Sequence, residues 1–178
     1  DLLEKHKEMG SDKYEFLCEA AKIQGVYVPS LYDVSYNADG TVKNIENKAT
    51  APKRVKKRII SDLDKVYYPD RFVVPFIDVV HDRAVCEIFR GCIRGCRFCQ
   101  AGFIYRPIRE KNYETANRQA KRLCDSTGYD EISLCSLSTS DYTGIDKLIP
   151  EMFSWALKEN INVSLPSLRV DNFSDELM

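Results

Sequence analysis

Arg90-Gly91-Cys92-Ile93-Arg94-Gly95-Cys96-Arg97-Phe98-Cys99-Gln100-Ala101-Gly102 holds three of the chain's seven cysteines, spaced C-x3-C-x2-C, with an aromatic residue directly before the third. The stretch follows a short apolar run at 84–89 and opens a long loop, 90–112, before the next periodic segment. A strand that ends in a cysteine-bearing loop and leads into a helix is the first half of a βα unit, and the flanking sequence is read from there.

Downstream, strand and helix patterns alternate. Residues 115–126 carry Ala116, Ala120, Leu123, Cys124 and Thr127 along one helical face, with Gly128 as the stop. Residues 131–137 read as the second strand, 146–159 as the second helix with Pro150 tolerable in its first turn, and 162–165 as the third strand. Ser174-Asp175-Glu176 has the pattern of a helix cap. Such alternation implies parallel strands joined by right-handed crossovers. Three strands do not close a barrel, which takes eight repeats over about 250 residues. The expected class is therefore α/β, the N-terminal part of a partial TIM-like (βα) barrel. The third strand's edge is expected to be uncovered, which predicts poor solubility for the segment alone.

Upstream, residues 11–24 read as a helix ending at Gly25. Residues 31–36 and 41–45 flank Asn37-Ala38-Asp39-Gly40 as a hairpin. Residues 48–75 look like a linker carrying Pro52, Pro69 and Pro75. The expected divisions are 1–30 as the tail of an upstream domain, 31–80 as hairpin and basic linker, and 81–178 as the first βα units. Asp1-Leu2-Leu3-Glu4-Lys5 has neither an initiator Met nor a signal-peptide layout, so the chain is expected to be a stretch of a longer polypeptide.

Composition excludes several classes. Of 178 residues, 44% are hydrophobic and 30% charged, and the net charge is −1. That balance predicts a soluble globular protein with no global attraction to nucleic acid or membrane. The longest apolar stretch, 72–80, is interrupted by Pro75 and Asp78, so no membrane span is expected. One local basic run, Lys53-Arg54-Val55-Lys56-Lys57-Arg58, reads as a solvated linker or edge strand. A phosphate contact to RNA is the alternative there. An odd cysteine count argues against a secreted disulfide framework and for a reducing, cytoplasmic setting. Cys18, Cys86, Cys124 and Cys135 lie on apolar segments and read as ordinary buried cysteines.

The chemistry follows from the three clustered thiols. Cysteine thiolates hold the irons of a [4Fe-4S] cluster, and three of them leave the fourth iron open to a cofactor or substrate. Gly91, Gly95 and Gly102 would let the loop wrap closely. Arg90, Arg94 and Arg97 would offset cluster charge, and Arg94 and Arg97 would suit an anionic cofactor group. Zinc is the competing reading, but it usually takes four ligands in paired groups. No second C-x2-C is present, and the two histidines, His6 and His81, are not at zinc-finger spacing. His81 reads as a hydrogen-bonded structural residue. Arg106 and Arg109, further along the loop, either meet an anionic substrate or order the loop.

C-x3-C-x-aromatic-C after the first strand resembles the signature of the radical S-adenosylmethionine (SAM) superfamily. Val26-Tyr27-Val28-Pro29-Ser30-Leu31-Tyr32, His81-Asp82-Arg83-Ala84, and the segments 90–109, 136–142 and 164–169 resemble the cobalamin-binding-type radical SAM proteins. The resemblance implies that Cys92, Cys96 and Cys99 ligate the cluster, whose open iron chelates SAM. Reduction then yields a 5′-deoxyadenosyl radical. It further implies that Phe98 lies beside the cluster and adenine. Ser138, Thr139 and Asp141 match the position of a Gly-Gly-Glu-like segment that this chain lacks. Ser167 and Arg169 follow the third strand, where Arg169 would pair with the SAM carboxylate. A reducing partner such as flavodoxin or ferredoxin is implied, and cobalamin would come through a domain preceding this chain. Cobalamin-dependent methylation is then the expected reaction. The alternatives are methylthiotransferase-like modification of tRNA or a ribosomal protein, a cluster-binding scaffold without chemistry, and a non-catalytic metal-binding RNA module.

Overall fold

The computed structural model describes residues 1–172. The helix cap expected at Ser174-Asp175-Glu176 lies outside the described residues. The chain divides into two compact units, the first running from Asp1 to Ile60 and the second beginning at Ser61.

The first unit opens with α1 (Leu2–Met9), which the sequence pattern did not suggest. Its start is set by a capping box in which the Asp1 carboxylate accepts from the Leu3 and Glu4 amides, and Gly10 closes it at φ 62°. Helix α2 (Lys13–Ala20) is shorter than the expected 11–24 and is capped by Asp12. The expected hairpin is present as β1 (Tyr32–Tyr36) and β2 (Val42–Asn47), antiparallel, with Gly40 at φ 82° in its turn. Ala21, Val28, Leu31 and Ala51 form a small core. The basic run 53–58 is exposed except for half-buried Val55 and has no strand pairing, so it is not an edge strand.

The second unit starts before the first βα strand because the preceding segment is tied to it. Leu63 is buried, the Asp64 carboxylate accepts from the Asn112 amide at 2.8 Å, and the Tyr68 hydroxyl donates to the Val85 carbonyl at 3.2 Å. Strand β3 (Ala84–Glu87) is followed by β4 (Phe89–Arg90). The cysteine loop follows and contains the short helix α3 (Ala101–Ile104). Strand β5 (Arg109–Glu110) pairs antiparallel with β4. Then come α4 (Tyr113–Thr127), β6 (Glu131–Cys135), α5 (Ile145–Ala156) and β7 (Asn162–Ser164).

Strands β3, β6 and β7 make one parallel sheet in that order. The fold is thus a mixed α/β arrangement with a three-stranded parallel sheet, and no barrel is closed among the described residues. Register explains the core. Ala84 sits opposite Ile132 and Cys86 opposite Leu134, so these four share a face. That face packs with Ala116, Ala120 and Leu123 of α4 and Leu148 and Met152 of α5 in one cluster. Both crossover helices therefore cover the same side of the sheet. Gly128 caps α4 at φ 75°, as the sequence predicts.

Pro150 lies in the interior of α5 and not in its first turn. It leaves the Asp146 carbonyl without a helical donor. The buried stripe of Leu148, Ile149 and Met152 carries the helix through it. Cys135 is exposed and not buried, because it alternates with Leu134 onto the sheet face away from the helices. Cys86 and Cys124 are buried as expected, and Cys18 is half-buried.

Candidate metal and cofactor site

Pairing of β4 with β5 closes the neck of the cysteine loop. At the neck, Gly91 has φ 95°, and a Cβ there would come 2.9 Å from the Tyr105 carbonyl oxygen and 3.1 Å from that of Pro107. Two chain passes meet so tightly that only glycine fits. A Cβ on Gly102 would likewise come 3.1 Å from the Arg94 carbonyl oxygen. Gly95 faces open space, so the close wrapping expected of it is not required. Arg109 donates through Nε to the Pro107 carbonyl at 3.0 Å and through Nη2 to that of Tyr105 at 3.2 Å. Arg106 lies 5.5 Å over the Phe103 ring. In these contacts both arginines order the loop. Lys111, buried just past the neck, donates to Gln119 Oε1 at 2.7 Å and lies 4.6 Å over the Tyr68 ring, and burial lowers its pKa. His81 meets Arg83 at 3.0 Å, the structural role expected of it.

Cys92, Cys96 and Cys99 are half-buried free thiols in this loop. The Cys99 amide donates to the Cys96 carbonyl at 3.0 Å, which folds the C-x2-C segment into a turn. Among the described residues no three His, Cys, Asp or Glu side chains are gathered closely enough to hold a metal ion. By donor chemistry the thiols suit iron–sulfur: three soft ligands in one loop, none in a disulfide. Phe98 is 93% exposed and covers no neighbouring side chain. The arginines expected to offset cluster charge are mostly engaged: Arg90 pairs with Glu87 at 2.8 and 2.9 Å, and Arg94 pairs with Asp141, whereas Arg97 is exposed.

The ends of β6 and β7 meet the loop. A 3-10 turn, Thr139–Asp141, follows β6, and Ser138, Thr139 and Ser140 are all buried. The Thr139 hydroxyl donates to the Pro166 carbonyl at 2.6 Å, and its amide donates to the Ser167 carbonyl at 3.2 Å. Ser136 Oγ lies 2.9 Å from Thr139 Oγ1; since the Thr139 hydrogen is used on Pro166, Ser136 is the donor. Ser167 presents its carbonyl from a left-handed conformation, φ 60°. Asp141 takes both Nε and Nη2 of Arg94, the Ser138 hydroxyl at 2.8 Å and the Asn172 amide at 2.8 Å. The Arg94 bonds hold the Asp141 carboxyl down at about 2. Arg169 is bidentate to Asp171, and its Nη1 lies 3.7 Å from Cys96 Sγ. Beside these groups lies a 440 Å³ cavity lined by Phe89, Ile93, Ile108, Glu110, Asp141 and Thr143.

No known family's sequence model matches the chain. A 92-residue stretch is 34% identical to an uncharacterized protein of Methanocaldococcus jannaschii, covering 52% of this chain and 20% of that protein. The chain thus spans about a fifth of that relative's length.

The structure brings Cys96, Arg169, Ser138 and Asp141 into one network and leaves Phe98 outside it. The sequence did not show the Arg94–Asp141 pairing or the part taken by Asn172, nor that Glu110 accepts from Thr143 and lines the cavity beside the network. Arg94 reads from the sequence as a cation for a cluster or an anionic cofactor group, and its separation of 47 positions from Asp141 gives no signal that they meet.

Proposed function

We propose that this chain carries the cluster-binding part of a radical SAM enzyme, built on the opening βα units of a partial TIM-like barrel. The observation that carries the reading is a C-x3-C-x2-C loop of free thiols at the C-terminal end of the first strand of a sequentially ordered parallel sheet. Two features support the barrel. The strand order β3-β6-β7 follows the chain, and both crossovers lie on one face, so further units would curl the sheet in the same sense. Catalytic groups of such barrels lie at the C-terminal strand ends, where the cysteine loop, the Ser138–Asp141 turn and Arg169 all sit.

Cys92, Cys96 and Cys99 would hold a [4Fe-4S] cluster, which when bound supplies the electron that cleaves SAM to methionine and a 5′-deoxyadenosyl radical. The Arg169 Nη1 lies 3.7 Å from Cys96 Sγ, so a cofactor carboxylate held by Arg169 would sit beside the cysteine loop. To receive a carboxylate, Arg169 would exchange it for Asp171, whose side chain is 59% exposed and therefore free to swing away. Phe89, Ile93 and Ile108 give the cavity beside the loop an apolar side, and Glu110, Asp141 and Thr143 give it a polar one.

The test is iron and sulfide content, with the visible spectrum, of anaerobically reconstituted full-length protein beside a Cys92, Cys96 and Cys99 triple Ala variant. The expected result is about four irons per chain, lost in the variant, with 5′-deoxyadenosine released from SAM on reduction. Zinc without iron, or a cluster that survives the triple substitution, would overturn the proposal.

A further inference from the structure

Three strand ends converge on one carboxylate. Arg94 comes from the loop after β4 and lies midway between Cys92 and Cys96. Ser138 and Asp141 follow β6, and Asn172 follows β7. The Asn172 amide also donates to the Ser140 carbonyl at 2.8 Å, which locks it across the β6 turn. A carboxylate offers about four lone-pair sites, and the four bonds to Asp141 from Arg94, Ser138 and Asn172 occupy them. Its side chain is only 5% exposed.

We infer that the Arg94–Asp141 pair is a clamp that sets the cysteine loop over the strand ends before any cofactor arrives. Asp141 is then a positioning residue, acting through Arg94 and not by touching SAM. The loop needs such a device. Ile93, Phe98, Phe103, Ile104 and Tyr105 are all at least 49% exposed, so apolar burial does little to fix it. A bidentate guanidinium–carboxylate pair fixes direction as well as distance. Gly102 packed against the Arg94 carbonyl passes that constraint to α3, and Arg169 near Cys96 adds a second tether from the β7 end. A loop ordered in advance costs less conformational entropy when its ligand binds. The inference rests on the radical SAM reading for what the loop holds, and on geometry alone for how the loop is held.

The experiment is hydrogen–deuterium exchange of the metal-free full-length protein, followed by reconstitution and electron paramagnetic resonance of the reduced cluster with SAM. Asp141→Asn is expected to raise exchange across 92–104 by about tenfold or more, and to broaden the cluster signal into several species. Asp141→Glu and the exchanged pair Arg94→Asp/Asp141→Arg are expected to recover part of the protection. Should Asp141→Asn fail to fold, Asn172→Ala and Ser138→Ala each remove one bond to Asp141 and read the same quantity. Unchanged exchange at 92–104 in these variants, with SAM affinity alone weakened, would overturn the clamp and make Asp141 a direct ligand. Raised exchange in a protein whose wild type takes up no iron would uphold the clamp and overturn the radical SAM reading, so the two fail separately.

Discussion

The helix-covered face of the β3–β6–β7 sheet and the cysteine loop at its end are held by different physics. On the sheet face Cys86, Ile132, Leu134, Leu148 and Met152 are fully buried, and stability comes from apolar area removed from water. In the loop the large apolar side chains are exposed, and position comes from arginines bonded to carbonyls and to one aspartate. A scaffold rigid by burial thus presents a site that is ordered by polar tethers, and the two should respond to different perturbations.

The largest response is expected in the scaffold. Leu134→Ala should cost about 2–5 kcal/mol by urea denaturation. Phe98→Ala, which removes a larger but exposed side chain, should stay within about 0.5 kcal/mol. Equal effects would erase the distinction between the regions.

Thiol chemistry draws the same line. Burial pushes Cys86 and Cys124 up to about 11 from an ordinary 9.0. Their thiolate population near neutral pH should fall on the order of 100-fold from that shift alone. Brief alkylation of the native protein, read by mass spectrometry, should label Cys92, Cys96, Cys99 and Cys135 and spare those two. Labelling of Cys86 at the rate of Cys135 would mean that the sheet face opens.

At the junction of the two regions, Thr139→Val should cost about 1 kcal/mol, because it removes the hydroxyl that donates to the Pro166 carbonyl. Gly128→Ala, where only the left-handed φ of 75° is at issue and no atom lies within 4 Å, should cost about 1 kcal/mol. Gly91→Ala adds a collision with the Tyr105 backbone and should lower the thermal midpoint further.

The smallest effect concerns acid. A carboxyl held at about 2 below an ordinary 3.8 contributes stability that is complete above 3.8 and is lost as pH falls toward 2. Between pH 5 and 2 the thermal midpoint of wild type should therefore fall more steeply than that of Asp141→Asn. Parallel curves would mean that the Arg94 pair does not persist in solution.

Much of the scaffold was legible because its signals are local. Period-3.6 apolar positions with Gly128 gave α4, short apolar runs gave β3, β6 and β7, and Asn37–Gly40 gave the hairpin. The Asp1–Glu4 capping box is an equally local signal, and it starts α1. The chemical type of the candidate site was also local, since three thiols within eight residues define a donor set wherever the loop sits. Tertiary structure alone decided how that loop is held. Arg94 meets Asp141 across 47 residues, and Arg169 approaches Cys96 across 73, because parallel pairing stacks the C-terminal ends of successive strands side by side. The sequence names which residues are cations and which are carboxylates. Choosing among 26 of the former and 27 of the latter takes the sheet's register, which no single segment encodes.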